Sequence, residues 1–560
     1  MRSLISNWYL KLLLIIVGFL VIYPLFMLVY GSFRGGGPGA ESALSLDGYQ
    51  RAFSDTGHLR VLWTTIWLSA IRTLLVIALA IFFAWVVTRT DTPWRGGLEF
   101  LIWLVFLGLP LLPTTVAWTL LAGPQGFMNQ AFTTFFGLEK PLLNVYSYGG
   151  IIWVSVAFLS SIVFVIITPA FKGMDAALEE SSRMSGASTI TTIRRVTIPL
   201  LAPALLGATL LSFIRLVESF EVELILGYPA GIYVYTTQIW RLLGTVPADF
   251  PQAMALSSIV LVAVMGLLVF QWRLLGNRQF VTITGRGFST HPTKLGVWRY
   301  VTFSAVILYF VFAFVLPFLT LILGSFMKLW GVWSSEPFTT KHWVWAINDA
   351  RVLRSVKNTL IVGVGAATIG MLLYSLISYV TVKTSFSGRK ALDMISWLPY
   401  GVPGLVLALG FLWAYTGGLP VFAPLFGTLW LLMMAFIVRG LPLGCRVMNG
   451  AMYQLGRELE ESSRVLGASW VRTFYRIVAP VLSPAFVSAW ILLFLIAVRD
   501  VVTIIVLYMP SSRLLSVALF EHWMASEYEK SVVIGVMMTL LMLIGAIVVR
   551  FFGPKQQVAG

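Results

Sequence analysis

A few ionisable residues lie inside long apolar stretches, where a charge is costly and usually functional. Arg215, Glu218 and Glu221 are three apart, a spacing that places them on one face of a helix, and Glu223 follows. The matching stretch of the second half carries Arg499-Asp500, with Arg499 aligned to Glu218, and Arg72 has an alanine-rich counterpart. Two chemistries suit this set. The carboxylates could line a cation route; alternatively, Arg72 or Arg215 neutralises a glutamate while Glu218 pairs with Arg499 as a latch between the halves. Acids and bases nearly balance, and an unpaired buried charge is expensive, so the latch is the favoured reading. Catalysis is poorly provided for. No Gly-Lys dipeptide occurs, so there is no G-x-x-x-x-G-K-[ST] loop to cradle nucleotide phosphates. The one cysteine, Cys445, excludes an internal disulfide, and His58, His291, His342 and His522 are scattered over loops. No metal site, no catalytic residue and no cofactor bound by this chain is expected.

The elements that must position these charges carry one motif written twice. Leu178-Glu179-Glu180-Ser181-Ser182-Arg183 runs on to Gly186 and Ser188, and Leu459-Glu460-Glu461-Ser462-Ser463-Arg464 runs on to Gly467 and Ser469. Arg195 and Pro199 follow the first copy; Arg476 and Pro480 follow the second at the same spacing, and Pro203 matches Pro484. Apolar residues recurring at three- and four-residue steps predict a short amphipathic helix. The glycine then suits a left-handed stop, and the serine an N-cap for a second short helix. One copy alone would read equally well as a loop on the membrane surface. An ungapped duplicate points instead to a repeated helix–turn–helix elbow.

Glu180-Ser181-Ser182, Gly186 and Val196-x-Ile198-Pro199, with Glu461-Ser462-Ser463, Gly467 and Ile477-x-Ala479-Pro480, resemble the EAA loop of ABC importer permeases. Serines stand where the family has alanines, and Ala479 where leucine is usual. The resemblance implies that the loops at about 172–199 and 446–480 are cytoplasmic coupling helices. Glu179, Glu180, Arg183, Gly186, Glu460, Glu461, Arg464 and Gly467 would then couple the chain to two copies of an ATP-binding cassette subunit. ATP and Mg would be bound by those partners, and the chain itself would not be an enzyme.

With 58% hydrophobic and 11% charged residues, the composition excludes a soluble globular chain. Segments of roughly 20 apolar residues can span a bilayer as helices. Twelve are predicted: 9–31, 62–87, 100–121, 150–170, 202–226, 254–272, 300–325, 358–380, 392–415, 423–438, 484–508 and 531–549. Tyr23-Pro24 through Phe33 reappears as Leu316-Pro317 through Phe326, which argues against a cleaved signal, and Arg60-Val61-Leu62 echoes Arg351-Val352-Leu353. The expected fold is therefore an all-α membrane protein of about twelve spans in two parallel six-helix repeats, the type I ABC importer permease fold. Its parts are a first half at 1–272, a basic linker at 273–299 and a second half at 300–560. The net charge of +16 does not mean nucleic acid. Lys and Arg concentrate on the side of the N-terminus and both elbows, so the positive-inside rule places both termini in the cytoplasm.

The resemblance narrows with Glu218-Ser219-Phe220-Glu221 through Tyr228-Pro229-Ala230-Gly231, and with Arg499-Asp500 through Tyr508-x-Pro510. These are similar to the fused permeases of ferric-iron importers; related fused permeases serve 2-aminoethylphosphonate and thiamine. A polyamine would also suit the glutamates, and an anion would suit the arginines. The implied system sits in a bacterial inner membrane and takes solute from a periplasmic binding protein docking on outer loops such as 34–59, 327–356 and 509–530. A secondary transporter needing no ATPase would leave the elbows without a purpose.

Overall fold

The structure, a computed structural model, describes residues 8–552 apart from Asp175, 276–291, Trp333, 457–461, Arg464, Leu466 and Ala468. The described residues are helical, with only isolated β-bridges. Among the described residues, ten helices are long and apolar enough to cross a membrane. The count is twelve if each of two bent pairs forms one span. The expected straight spans 100–121 and 392–415 are these bent pairs, Arg95–Gly108 with Leu111–Phe136 (98°) and Arg389–Gly401 with Gly404–Thr416 (112°). Both break at a proline. Leu109 and Val402, which precede Pro110 and Pro403, are extended because a proline disfavours helical geometry in the residue before it.

Proline shapes the other helices too. Four widened, π-type turns, Ile193–Thr197, Glu223–Gly227, Val311–Val315 and Phe474–Val478, each end two residues before a proline: Pro199, Pro229, Pro317 and Pro480. A proline offers no N–H to the carbonyl four residues earlier and crowds it. The chain answers by slipping one residue, so that Ile198 N–H donates to Ile193 O and Leu316 N–H to Val311 O.

The chain forms two compact units that do not follow the sequence halves. One comprises Met1–Thr56, Ile239–Met265 and Thr340–Gly560; the other comprises Gly57–Gln238 and Gly266–Thr339. The first helix, Trp8–Ser32, thus packs among second-half helices. Its Tyr23 hydroxyl donates to Ala414 O (3.2 Å) and accepts from Leu419 N–H (2.9 Å), and a Cβ on Gly410 would lie 2.7 Å from Pro24 O. In the other unit the span Trp298–Ser325 packs among first-half helices. Tyr309 donates to Ala157 O (2.7 Å), and its ring lies 4.5 Å from that of Phe83 in a buried cluster with Val163, Phe164 and Val306. The end of the linker joins this unit, with Thr293 N–H donating to Arg89 O (2.8 Å) and Leu295 N–H to an Asp91 carboxylate oxygen (2.9 Å).

Hydrogen bonds repeat between the units. Tyr235 N–H donates to the Thr65 hydroxyl (2.9 Å), as Leu515 N–H does to that of Thr359 (2.8 Å). Thr65 therefore corresponds to Thr359, and Arg60 to Arg354 rather than to Arg351. Arg72 then matches Ala366, in keeping with its alanine-rich counterpart.

Helices Ala350–Lys383 and Leu429–Gln454 approach closely where Gly440 and Gly444 form a G-x-x-x-G notch for Tyr374. A Cβ on Gly444 would lie 2.0 Å from the Tyr374 ring, and the buried Tyr374 hydroxyl donates to Ile437 O (2.5 Å). Gly444→Val should cost about 1–3 kcal/mol by overpacking, read as a lowered unfolding temperature in detergent. A variant as stable as the parent would show that the notch is not close-packed.

Candidate functional site: the elbows and the buried charges

The first elbow starts with the helix Ala176–Met184, which ends as Ser185 N–H donates to Ser181 O and Ala187 N–H to Ser182 O. Gly186, between them, takes φ +85°, a conformation in which a side chain is strained. The Ser188 hydroxyl then accepts from Thr191 N–H (3.3 Å), capping Thr189–Thr192, which runs through the widened turn into Ile198–Val217. The described part of the second elbow repeats this. Gly467 has φ +80°, Ser469 accepts from Arg472 N–H (3.4 Å), and Trp470–Thr473 leads through Phe474–Val478 into Ala479–Arg499. Each elbow is tied across by a hydroxyl pair, Ser182 with Thr192 (3.0 Å) and Ser463 with Thr473 (2.9 Å).

The expected coupling residues separate. Glu179 does not face outward: it is 5% exposed, accepts from the Thr197 hydroxyl (2.6 Å) and lies 4.0 Å from the Arg89 guanidinium. Glu180 is half-buried, with one carboxylate oxygen buried and without a hydrogen-bond partner. Arg183 lies on the elbow helix, but its side chain is outside the described residues, as are Glu460, Glu461 and Arg464. Among the described residues the exposed side chains are mixed: Leu178, Met184 and Ile190 lie beside exposed Ser181, Ser185 and Arg194 on the first elbow, and Val465 is exposed on the second.

The membrane charges also part company. The helix expected at 202–226 stops at Val217, and that expected at 484–508 stops at Arg499, so Arg215, Glu218 and Glu221 do not share one helical face. Side chains compete with the helix at both stops. Asp500 accepts from Thr503 N–H (3.0 Å) and from the Thr503 hydroxyl (2.7 Å), and Ser219 donates to Glu223 (2.6 Å). Arg215 remains 3.5 Å from Glu218 and is 40% exposed. Glu221 is half-buried. Glu218 and Arg499 belong to different units, and their pairing rests on the repeat register alone.

Arg72 is the guanidinium that neutralises a glutamate, and its partner is Glu223. Both side chains are fully buried, 2.5 Å apart. Arg72 also donates to Ser155 (3.1 Å), Leu216 O (3.2 Å) and Leu68 O (3.3 Å). The network joins three helices to the broken stretch after Val217. Its counterpart unit has Ala366, and buried Ile504 in the place of Glu223. Sequence reading also missed Arg89 and Lys383, which end the helices Thr56–Arg89 and Ala350–Lys383 and there read only as part of the positive-inside bias. Among the described residues no three His, Cys, Asp or Glu side chains gather as a metal-holding group.

A helical, multi-span, internally duplicated architecture with twin elbows defines an integral membrane protein of the permease type. The model of the family described as binding-protein-dependent transport system inner membrane component matches residues 360–558. The sulfate transport system permease protein CysT of Salmonella typhimurium is 32% identical over 35% of this chain and 68% of its own. The chain belongs to this family of transport-system inner membrane components. Two further relatives match much more of it. The ferric transport system permease protein FbpB of Actinobacillus pleuropneumoniae is 28% identical over 78% of this chain, which spans 64% of that relative. The putative ferric transport system permease protein FbpB 1 of Haemophilus influenzae is 27% identical over 90% of this chain and 78% of its own.

Removing one partner of a buried ion pair strands the other charge, whereas replacing both is far milder. Arg72→Met and Glu223→Gln should each destabilise by about 3–5 kcal/mol, with most of the loss recovered in the double variant. Folded yield and unfolding temperature in detergent measure this. A double variant no better than the worse single one would show that the pair does not act as a unit.

Proposed function

We propose that this chain is the membrane permease of an ATP-driven importer of ferric iron in a bacterial inner membrane, with both termini in the cytoplasm. Two ATP-binding subunits dock on the elbows, and a periplasmic binding protein delivers the solute. The observation that carries this reading is the likeness of the described parts of the two elbows, with a left-handed glycine, a capping serine and a hydroxyl pair in each, both running directly into a spanning helix. Their exposed apolar residues suit a protein partner, and a nucleotide-driven displacement there would be passed to the helices. The chain lacks a phosphate-binding loop, so hydrolysis belongs to the partners.

The iron assignment rests on likeness to the two long relatives, both ferric transport system permeases by name. Ferric iron is a hard cation that prefers oxygen ligands. Arg72 and Arg215 already face glutamates, which disfavours an anionic cargo such as 2-aminoethylphosphonate. Glu221 supplies a half-buried carboxylate for a cation.

Cells with the gene deleted and restored should show gene-dependent uptake of labelled ferric iron and none of 2-aminoethylphosphonate, thiamine or putrescine. Gene-dependent uptake of one of the others with iron unchanged would overturn the cargo and leave the architecture intact. The elbows are tested separately. A β-branched residue in the left-handed conformation is strained by roughly 1–2 kcal/mol, so Gly186→Val with Gly467→Val should deform both elbows. A Walker-containing subunit that co-purifies with the parent in mild detergent should be lost from this variant; its retention would remove the elbows as docking sites.

A further inference from the structure

In the importer reading each elbow moves the helix that follows it. The structure also ties each elbow to a helix far from it in sequence. Arg89, the last residue of Thr56–Arg89, is 3% exposed. One of its terminal nitrogens donates to both Phe171 O and Met174 O at 2.6 Å, the carbonyls ending the helix Tyr148–Gly173 that leads into the first elbow. Its Nε lies 4.0 Å from Glu179 on the elbow helix. Glu179 in turn accepts from Thr197, just before the next spanning helix. One buried cation therefore gathers the end of the second helix, the entry to the elbow and the elbow itself. Its backbone oxygen also holds the returning linker through Thr293.

The same tie exists in the other unit with a different residue. Lys383 ends Ala350–Lys383, and its ammonium donates to Leu455 O at 2.6 Å, the residue that caps Leu429–Gln454 at the entry to the second elbow. The register of Thr65 on Thr359 carries Arg89 onto Lys383, and the elbow register carries Met174 onto Leu455. A cation at the end of the second helix, bonded to the carbonyl at the elbow entrance, thus occurs at corresponding places in two units whose other buried charges differ. Cations belong near helix C-termini, where carbonyls lack intrahelical partners. A local cap would bond to its own helix; these two bond to another.

We propose that Arg89 and Lys383 are positioning residues that strap each elbow to the second spanning helix of its sequence half, so that an elbow displaced by its partner carries that helix with it. The strap rests on the importer reading for its purpose but not for its existence. The second unit holds its elbow entrance with an ammonium, so a lysine should replace the guanidinium in the first.

Spin labels on the full chain with Cys445→Ser, at Gly96→Cys and Ser185→Cys, both exposed, report whether the elbow is held to the end of the second helix. The parent and Arg89→Lys should give the same narrow distance distribution, and Arg89→Met a broad one. In vesicles holding the chain, its ATP-binding subunits and binding protein, iron imported per ATP hydrolysed should fall in Arg89→Met and survive in Arg89→Lys. A loss of roughly 5- to 150-fold is the range of coupling between linked sites. Lys383→Met, with labels at Ser387→Cys and Val465→Cys, decides the matter if Arg89→Met is not recovered from the membrane. An unchanged distribution in the recovered methionine variant, or unchanged import per ATP, overturns the strap. If the parent imports nothing, the importer reading fails while the distance measurement still decides the strap.

Discussion

A backbone polar group left unpaired in hydrocarbon costs several kcal/mol, so a chain this apolar must satisfy its own N–H and C=O groups. Helices do so along their length, and the informative places are where helices stop. Side chains take over there. Thr65 and Thr359 accept the N–H groups of Tyr235 and Leu515. Asn358 donates to Ser511 O and Arg513 O, and Arg439 donates to Val402 O at the break of a bent pair. Arg72 takes Leu216 O at the end of the helix before the broken stretch, and Arg89 takes Phe171 O and Met174 O. Several side chains that look like transport chemistry thus also complete the backbone.

The two units solve this problem alike at their outlines and differently in their interiors. The elbows, the hydroxyl pair across each, the threonine acceptors and the cation at each elbow entrance all recur. The Arg72–Glu223 pair does not, since its counterparts are Ala366 and Ile504. Nor does the hydroxyl under Glu179, because buried Val478 stands where the first copy has Thr197. Duplication preserved the frame that a shared mechanism requires, and the interiors diverged. One unit now has a broken stretch pinned by a desolvated ion pair, while in the other Asp500 forms a local turn with Thr503.

Much of this was legible without coordinates because it depends on local chemistry. The elbow glycines and capping serines act within four residues, and proline governs its own neighbourhood. The widened turns before Pro199, Pro229, Pro317 and Pro480 and the bends at Pro110 and Pro403 were not foreseen, since hydropathy alone reads 100–121 and 392–415 as straight spans; their cause is nevertheless local, a proline that offers no N–H and crowds the residue before it. The helix stops at Val217 and Arg499 were not foreseen, because apolar residues continue past them and hydropathy does not register an Asp500–Thr503 turn. Glu179 and Glu180 are neighbours of the same type; only packing against Arg89 and Thr197 shows that the first is turned inward.

Composition and repetition, by themselves, determined that the chain is a helical membrane protein made of two related halves with an elbow in each. Those properties are set by the cost of exposing apolar surface and by bonds between near neighbours. Only the tertiary structure decided which helices share a core, that Trp8–Ser32 and Trp298–Ser325 each pack with the other half's helices, and which carboxylate answers Arg72. Those outcomes depend on shape complementarity and on desolvated charges meeting across more than a hundred residues of chain, and no periodicity in the sequence encodes such a meeting.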